Sequence, residues 1–154
     1  MLYVSSDVFR HQSHELAHSI LQAGKKYDAI LCVTKGWMHL AYYLADVLKI
    51  KNIRTYCCSS YMTDNNQWAM NVYYQPDLAD LHDANILVVD DLIDSGKTLQ
   101  HIWEAYPEYN LDVAVLYTKE KHWLKDVSTK KHHIYAFQEN LPADAWISFY
   151  YEEE

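Results

Sequence analysis

Short apolar runs alternate with helix-period patterns along this chain. Residues 29–34 (AILCVT) form a continuous apolar run of strand length, and residues 37–49 (WMHLAYYLADVLK) return to apolar side chains at helical spacing. Further strands are predicted at 53–58 (IRTYCC), 86–90 (ILVVD), 111–118 (LDVAVLYT) and 133–137 (HIYAF). Between the strands at 86–90 and 111–118 lies a helix at 97–106, where Leu99, Ile102, Trp103 and Tyr106 share one face and Pro107 stops the run. An earlier helical run places Val8, Phe9, Leu16 and Ile20 on its apolar side and ends at Gly24, which reads as a C-terminal cap. Strands alternating with helices predict an α/β fold, a mostly parallel central sheet flanked by helices. Residues 59–77 (SSYMTDNNQWAMNVYYQPD) are polar, aromatic and weakly periodic, and a connection of that length reads as a lid or binding loop.

Composition narrows the class. With 154 residues, 50% of them hydrophobic, the chain is expected to form one domain, 1–154, that buries a core without staples. Three cysteines, Cys32 and the adjacent Cys57 and Cys58, give no disulfide framework and fit a reducing compartment. No leader pattern opens the chain and no run reaches the length of a membrane span, so a cytoplasmic, membrane-free protein is expected. A net charge of −8 opposes general adhesion to nucleic acid, which is held mainly by Lys and Arg. Any phosphate ligand must then be held by local devices.

The candidate device is ILVVDDLIDSGKTL, residues 86–99. It ends in Gly96-Lys97-Thr98, as a nucleotide-triphosphate loop does, but that loop needs a glycine five residues before Gly96, where this chain has Asp91. The P-loop reading therefore fails. What remains is an apolar strand ending in Asp90 and Asp91, then a turn, Asp94-Ser95-Gly96-Lys97-Thr98, that opens a helix. Free amides and hydroxyls at that helix start suit a phosphate. The neighbouring acids suit hydroxyls or a cation, so a sugar phosphate satisfies both halves, directly or through Mg²⁺. The chain contains only three glycines, and Gly36 and Gly96 each follow a strand and open a helix, where an α/β sheet lines its ligand crevice.

These residues resemble the phosphoribosyl-pyrophosphate (PRPP) motif of the type I phosphoribosyltransferases: four apolar residues, two acids and an acid-Ser/Thr-Gly-x-Thr loop. Other segments, from about Tyr27 to Glu152, are similar in order and spacing to the small bacterial xanthine-guanine phosphoribosyltransferases. The resemblance implies the type I fold with a flexible hood loop over the site. It implies that Asp90 and Asp91 address the ribose hydroxyls and Mg²⁺. Asp94, Ser95, Gly96, Lys97 and Thr98 would bind the 5′-phosphate, with Asp94 also near N7 of the base as the acid/base residue. Lys35 and Gly36 match the loop that meets pyrophosphate, although Trp37 and Met38 follow where relatives carry small residues. Ser60 and Tyr61 open the hood segment. Lys119 matches the lysine that contacts the exocyclic oxygen of 6-oxopurines, Trp146 the aromatic that stacks on the base, and Ile147 a residue whose backbone meets the purine edge. The implied partners are PRPP and a purine base (guanine, xanthine or hypoxanthine), and the implied assembly is a homo-oligomer, a dimer or tetramer.

Two rival readings belong to other classes. HELAH (residues 14–18) spells the zinc-peptidase helix motif H-E-x-x-H, but His11, His14 and His18 fall on the polar side of their helix, where surface histidines are the simpler reading. His132 and His133 follow two lysines and are likewise expected to be exposed. The other rival is a PRPP-binding regulator that keeps the fold without turnover. Such a protein would contact nucleic acid through a basic face, and only residues 119–131 offer one.

Overall fold

The computed structural model describes residues 1–34, 38–120 and 132–152. In chain order the elements are β1 (Leu2–Val4), α1 (Ser6–Gln22), β2 (Ala29–Thr34), α2 (Met38–Leu48), β3 (Asn52–Met62), β4 (Trp68–Tyr74), a 3₁₀ turn (Ala79–Leu81), β5 (Asn85–Val89), β6 (Leu92–Ile93), α3 (Lys97–Ala105), β7 (Asn110–Lys119), β8 (Ile134–Leu141) and β9 (Ile147–Phe149). The main sheet runs β4-β3-β2-β5-β7, with β8 on the far side of β7; every pairing is parallel except β3 with β4. The predicted α/β architecture is the observed one. Among the described residues, no helix is long and apolar enough to cross a membrane.

The central strands are apolar on both sides because both faces are covered. Ile30, Cys32, Leu87, Val89, Ala114 and Leu116 pack with Phe9, Leu16 and Ile20 of α1 and with α2. Their neighbours Leu31, Val33, Ile86, Val88, Val113 and Val115 pack under Leu99, Ile102 and Trp103 of α3. The face predicted for α3 is thus the buried one, and Tyr106 is buried with it.

Helix α1 starts at Ser5, whose hydroxyl accepts the Val8 amide at 3.3 Å, and is followed by Gly24 at φ +81°. Its buried stripe differs from the predicted one. Val8 is 43% exposed, and Ser13 takes its place in the interior by donating to the Phe9 carbonyl at 2.7 Å. A serine whose hydroxyl bonds back to its own helix is cheap to bury.

The segment 59–77 is not an irregular loop. Its residues form the outer half of β3 and all of β4, an antiparallel hairpin from Cys57↔Tyr74 to Met62↔Trp68, with a bulge at Cys57/Cys58 and a turn closed by the Thr63 amide on the Gln67 carbonyl at 2.8 Å. Its tyrosines, tryptophan and valine suit a pleated strand. The hairpin buries neither face, so no period-2 pattern marks it in the sequence. His132 is a second correction. Its ring stacks on Trp103 at 4.6 Å and donates from Nδ1 to the Leu111 carbonyl at 2.7 Å, while His133 is exposed as expected.

Candidate active site

The two acids sit on an interrupted strand. β5 and β6 line the same edge of β7, and between them Asp90 donates its amide to the Ala114 carbonyl at 3.2 Å, while the Asp91 carbonyl accepts from Leu116 and Tyr117 at 2.9 and 3.2 Å. Backbone pinned on β7 holds both carboxylates at the carboxyl end of the sheet. The chain then turns through Asp94 and Ser95 into α3, whose N-cap is Gly96 at φ +75°. That left-handed conformation favours glycine, and the first amides of α3, which have no partner within the helix, begin beside the crevice, the Lys97 amide donating to the Ser95 hydroxyl at 3.4 Å.

A cleft of about 200 Å³ opens there. Asp90, Asp94, Ser95, Gly96, Lys97 and Thr98 line it, and Ser60 and Trp68 face them from the hairpin. The predicted phosphate residues are therefore brought together around one space. Trp68 is an addition; only the hairpin pairing turns it toward the cleft. Asp91 is buried behind the lining, and Tyr61 is exposed on β3 outside it. Lys35 and Gly36, with Trp37, lie outside the described residues.

Burial raises the Asp90 carboxyl to about 6. It also raises Asp91 well above the usual carboxylate range, reinforced by the adjacent Asp90 charge. The Asp91 amide donates to Asp90 Oδ1 at 3.0 Å, and no Lys or Arg side chain among the described residues pairs with either carboxylate. Two uncompensated hard oxygen donors fit Mg²⁺, which takes one or two carboxylates and completes its shell with water and substrate oxygens. The described residues hold no cluster of three or more potential metal ligands.

A consequence can be measured on the ligand-free protein. A carboxyl whose folded pKa lies above its unfolded value favours the protonated native state. Stability conferred by that proton is present below about pH 4 and is lost as pH rises through about 6. Asp90→Asn keeps the acceptor for the Asp91 amide and removes the charge, so it should raise unfolding free energy at pH 8 by on the order of 1–3 kcal/mol and flatten the slope between pH 4 and 6. Denaturant unfolding across that range checks it; an unchanged slope rejects the assignment.

Lys119, at the end of β7, reaches the same crevice. Its Nζ lies 3.2 Å from Asp94 Oδ1, with the lysine side chain 12% exposed and the aspartate 64%. The buried stem thus delivers an ammonium group to the rim of the cleft. Trp146 is 70% exposed and stands apart from the cleft lining. Ile147 is buried, and its register opposite Leu2 matters. The Leu2 amide bonds the Trp146 carbonyl at 2.8 Å and the Tyr150 amide bonds the Val4 carbonyl at 3.0 Å. In such a parallel ladder the amide and carbonyl of Ile147 point away from β1. On that outer edge the equivalent Phe149 amide is taken by the Glu152 carboxylate at 2.8 Å.

A turn at the head of a helix, two buried acids just before it on the strand, and a hairpin facing both form one crevice at the carboxyl end of the sheet, with the chemistry a sugar phosphate would need. Comparison with known proteins agrees: the phosphoribosyl transferase domain family matches residues 7–144, and the chain belongs to that family. Among solved structures, a hypothetical protein from Neisseria gonorrhoeae with bound ppGpp is 25% identical, with a TM-score of 0.80 over 99% of this chain and 90% of that one. The xanthine-guanine-hypoxanthine phosphoribosyltransferase of Helicobacter pylori is 23% identical, with a TM-score of 0.70 over 97% and 90%. The purine phosphoribosyltransferase of Pyrococcus horikoshii is 21% identical, with a TM-score of 0.70 over 99% and 94%. These similarities establish a shared fold.

Proposed function

We propose that this chain catalyses Mg²⁺-dependent transfer of a phosphoribosyl group from PRPP to a 6-oxopurine, releasing pyrophosphate. The observation that carries the reading is the Lys119–Asp94 pair at the rim of the phosphate cleft, which sets a donor for a carbonyl oxygen beside a carboxylate able to take a proton. Support for a purine comes from the fold neighbours named as purine enzymes and from the neighbour holding ppGpp, a guanine nucleotide.

In this reading the amides and hydroxyls of Ser95 to Thr98 hold the 5′-phosphate, and Asp90 and Asp91 hold the ribose diol and the metal. Mg²⁺, when bound, supplies positive charge to the departing diphosphate. The bond from C1 to the diphosphate oxygen breaks, a bond from C1 to the purine nitrogen forms, and Asp94 accepts the proton the base gives up. Lys119 donates to the oxygen at position 6, which an adenine amino group cannot accept; an unmatched donor of this kind costs about 1–3 kcal/mol. Lys35 and Gly36 would meet the pyrophosphate. The hairpin that carries Ser60, Tyr61 and Trp68 would cover the site and exclude water, since an activated sugar left open would hydrolyse. Trp146 and the outward-facing backbone of Ile147 would take the face and edge of the base. A homo-oligomer in the cytoplasm remains part of this reading.

One assay tests it: PRPP and Mg²⁺ with guanine, xanthine, hypoxanthine, adenine or orotate in turn, following nucleotide and pyrophosphate. The expected result is nucleotide from one or more oxopurines, with adenine and orotate poor. Binding of PRPP with no product from any base would overturn the enzyme reading in favour of a PRPP-binding regulator.

A further inference from the structure

A second cavity, of about 240 Å³, lies beside the phosphate cleft between α3 and the hairpin. Lys97, Gln100, His101 and Glu104 form its helix wall, and Ser60 and Trp68 belong to both spaces along with Lys97. The two are therefore contiguous at the residue that follows the N-cap of α3.

Charge orders the ways out of the phosphate turn. On the inner side stand Asp90 and Asp94, and the cation there, Lys119, is already paired with Asp94 at 3.2 Å. On the outer side Lys97 is exposed and pairs with no carboxylate among the described residues. His101 lies one helical turn on, about 6 Å along the axis, on the same face of α3. Its ring is seated edge-on against Tyr56 at 6.2 Å. Glu104 stands at the far end of the row and accepts from the Gln100 side-chain Nε2 at 3.3 Å.

We propose that this cavity is a subsite for a second phosphate extending from a ligand's 5′-phosphate, so that the chain binds nucleoside 5′-diphosphates as well as a monophosphate product. Lys97 and His101 take the added phosphate. Glu104 ends the subsite, so a third phosphate meets a carboxylate and gains nothing. The inference rests on the reading that the α3 turn holds a 5′-phosphate.

Titration calorimetry of the full chain with GMP, GDP and GTP in Mg²⁺ tests both levels separately. GDP is expected to bind on the order of ten-fold more tightly than GMP, because one added phosphate gains charge-assisted hydrogen bonds, and GTP no more tightly than GDP. His101→Ala should bring GDP to the affinity of GMP while leaving GMP unchanged, and Glu104→Gln should improve GTP relative to GDP. If GMP binds and GDP gains nothing, or the gain survives His101→Ala, the subsite is overturned and the phosphate turn stands. Failure of GMP itself to bind the wild-type chain overturns both. Should His101→Ala lose GMP binding through misfolding, Glu104→Gln decides: an unchanged GTP-to-GDP ratio overturns the subsite.

Discussion

Replacing Asp94 by asparagine is expected to cut nucleotide formation by about 100-fold, the scale on which a positioned acid/base group contributes, while PRPP affinity changes by less than about three-fold. Asparagine keeps an oxygen that can accept from Lys119, so the rim of the cleft should retain its shape while losing the carboxylate proposed to take a proton. Steady-state kinetics combined with direct PRPP titration separates the two effects. Equal losses in kcat and PRPP affinity would make Asp94 a phosphate-turn residue only, and unchanged turnover would remove it from the chemistry altogether. The ion pair itself adds little stability, because Asp94 is 64% exposed and such pairs are worth about 0–1 kcal/mol. Releasing Lys119 from Asp94, as the proposed contact with a carbonyl oxygen requires, would therefore cost little.

The second large effect is expected at the opposite end of the sheet. Asp112 is buried near the start of β7, where its Oδ2 accepts from Lys25 Nζ at 2.7 Å and from the Tyr27 hydroxyl at 2.6 Å, and its Oδ1 accepts the His133 amide at 2.9 Å. Tyr27 also meets the Tyr135 hydroxyl at 2.9 Å. Burial alone would raise the Asp112 carboxyl, but the bonds from Lys25, Tyr27 and His133 outweigh it and hold the group below the usual range. The network stitches the loop after α1 to β7 and β8. Asp112→Ala strands these donors, and the expected loss is about 3 kcal/mol of unfolding free energy at pH 7. The sign with pH is opposite to that of Asp90. A depressed folded pKa gives stability that is fully present above the ordinary carboxylate value of about 3.9 and is lost progressively as pH falls from there through the lowered folded pKa, so the gap between wild type and Asp112→Ala should narrow in acid. Denaturant titrations at pH 7 and pH 3 check both points. A difference at pH 7 under about 0.5 kcal/mol would mean that water replaces the carboxylate without penalty. Asp112 precedes Thr118 by six strand residues, about 20 Å, so activity measured below the melting range should survive the substitution.

How much of this was legible beforehand depended on periodicity. The strand at 29–34 coincides with β2, because a strand buried on both faces is apolar throughout and bounded sharply. The turn at 94–98 into α3 was equally readable, since adjacent acids and a glycine-led helix start are local in the chain. The hairpin was not. With both faces toward solvent it lacks alternation, and its pairing is a contact between segments that local pattern does not encode. Asp112 carried a weak signal, a single charge in an apolar strand, but Lys25 lies 87 residues away from it in sequence. Trp68 and His101 carry no local signal, and only the meeting of hairpin and helix brings them to one cavity.

By itself the order of apolar and polar residues determined the layering of helices on a mostly parallel sheet, and the acids, hydroxyls and glycine of residues 90–98 determined a strand end that turns into a glycine-led helix start. Those are properties of neighbouring residues, set by backbone geometry within one or two turns. Only the tertiary structure decided that Lys119 meets Asp94, that Trp68 faces the turn at 94–98 and that Ile147 turns its backbone outward. Each of these depends on strand register, which is fixed by burial across the whole sheet rather than by any single stretch of chain.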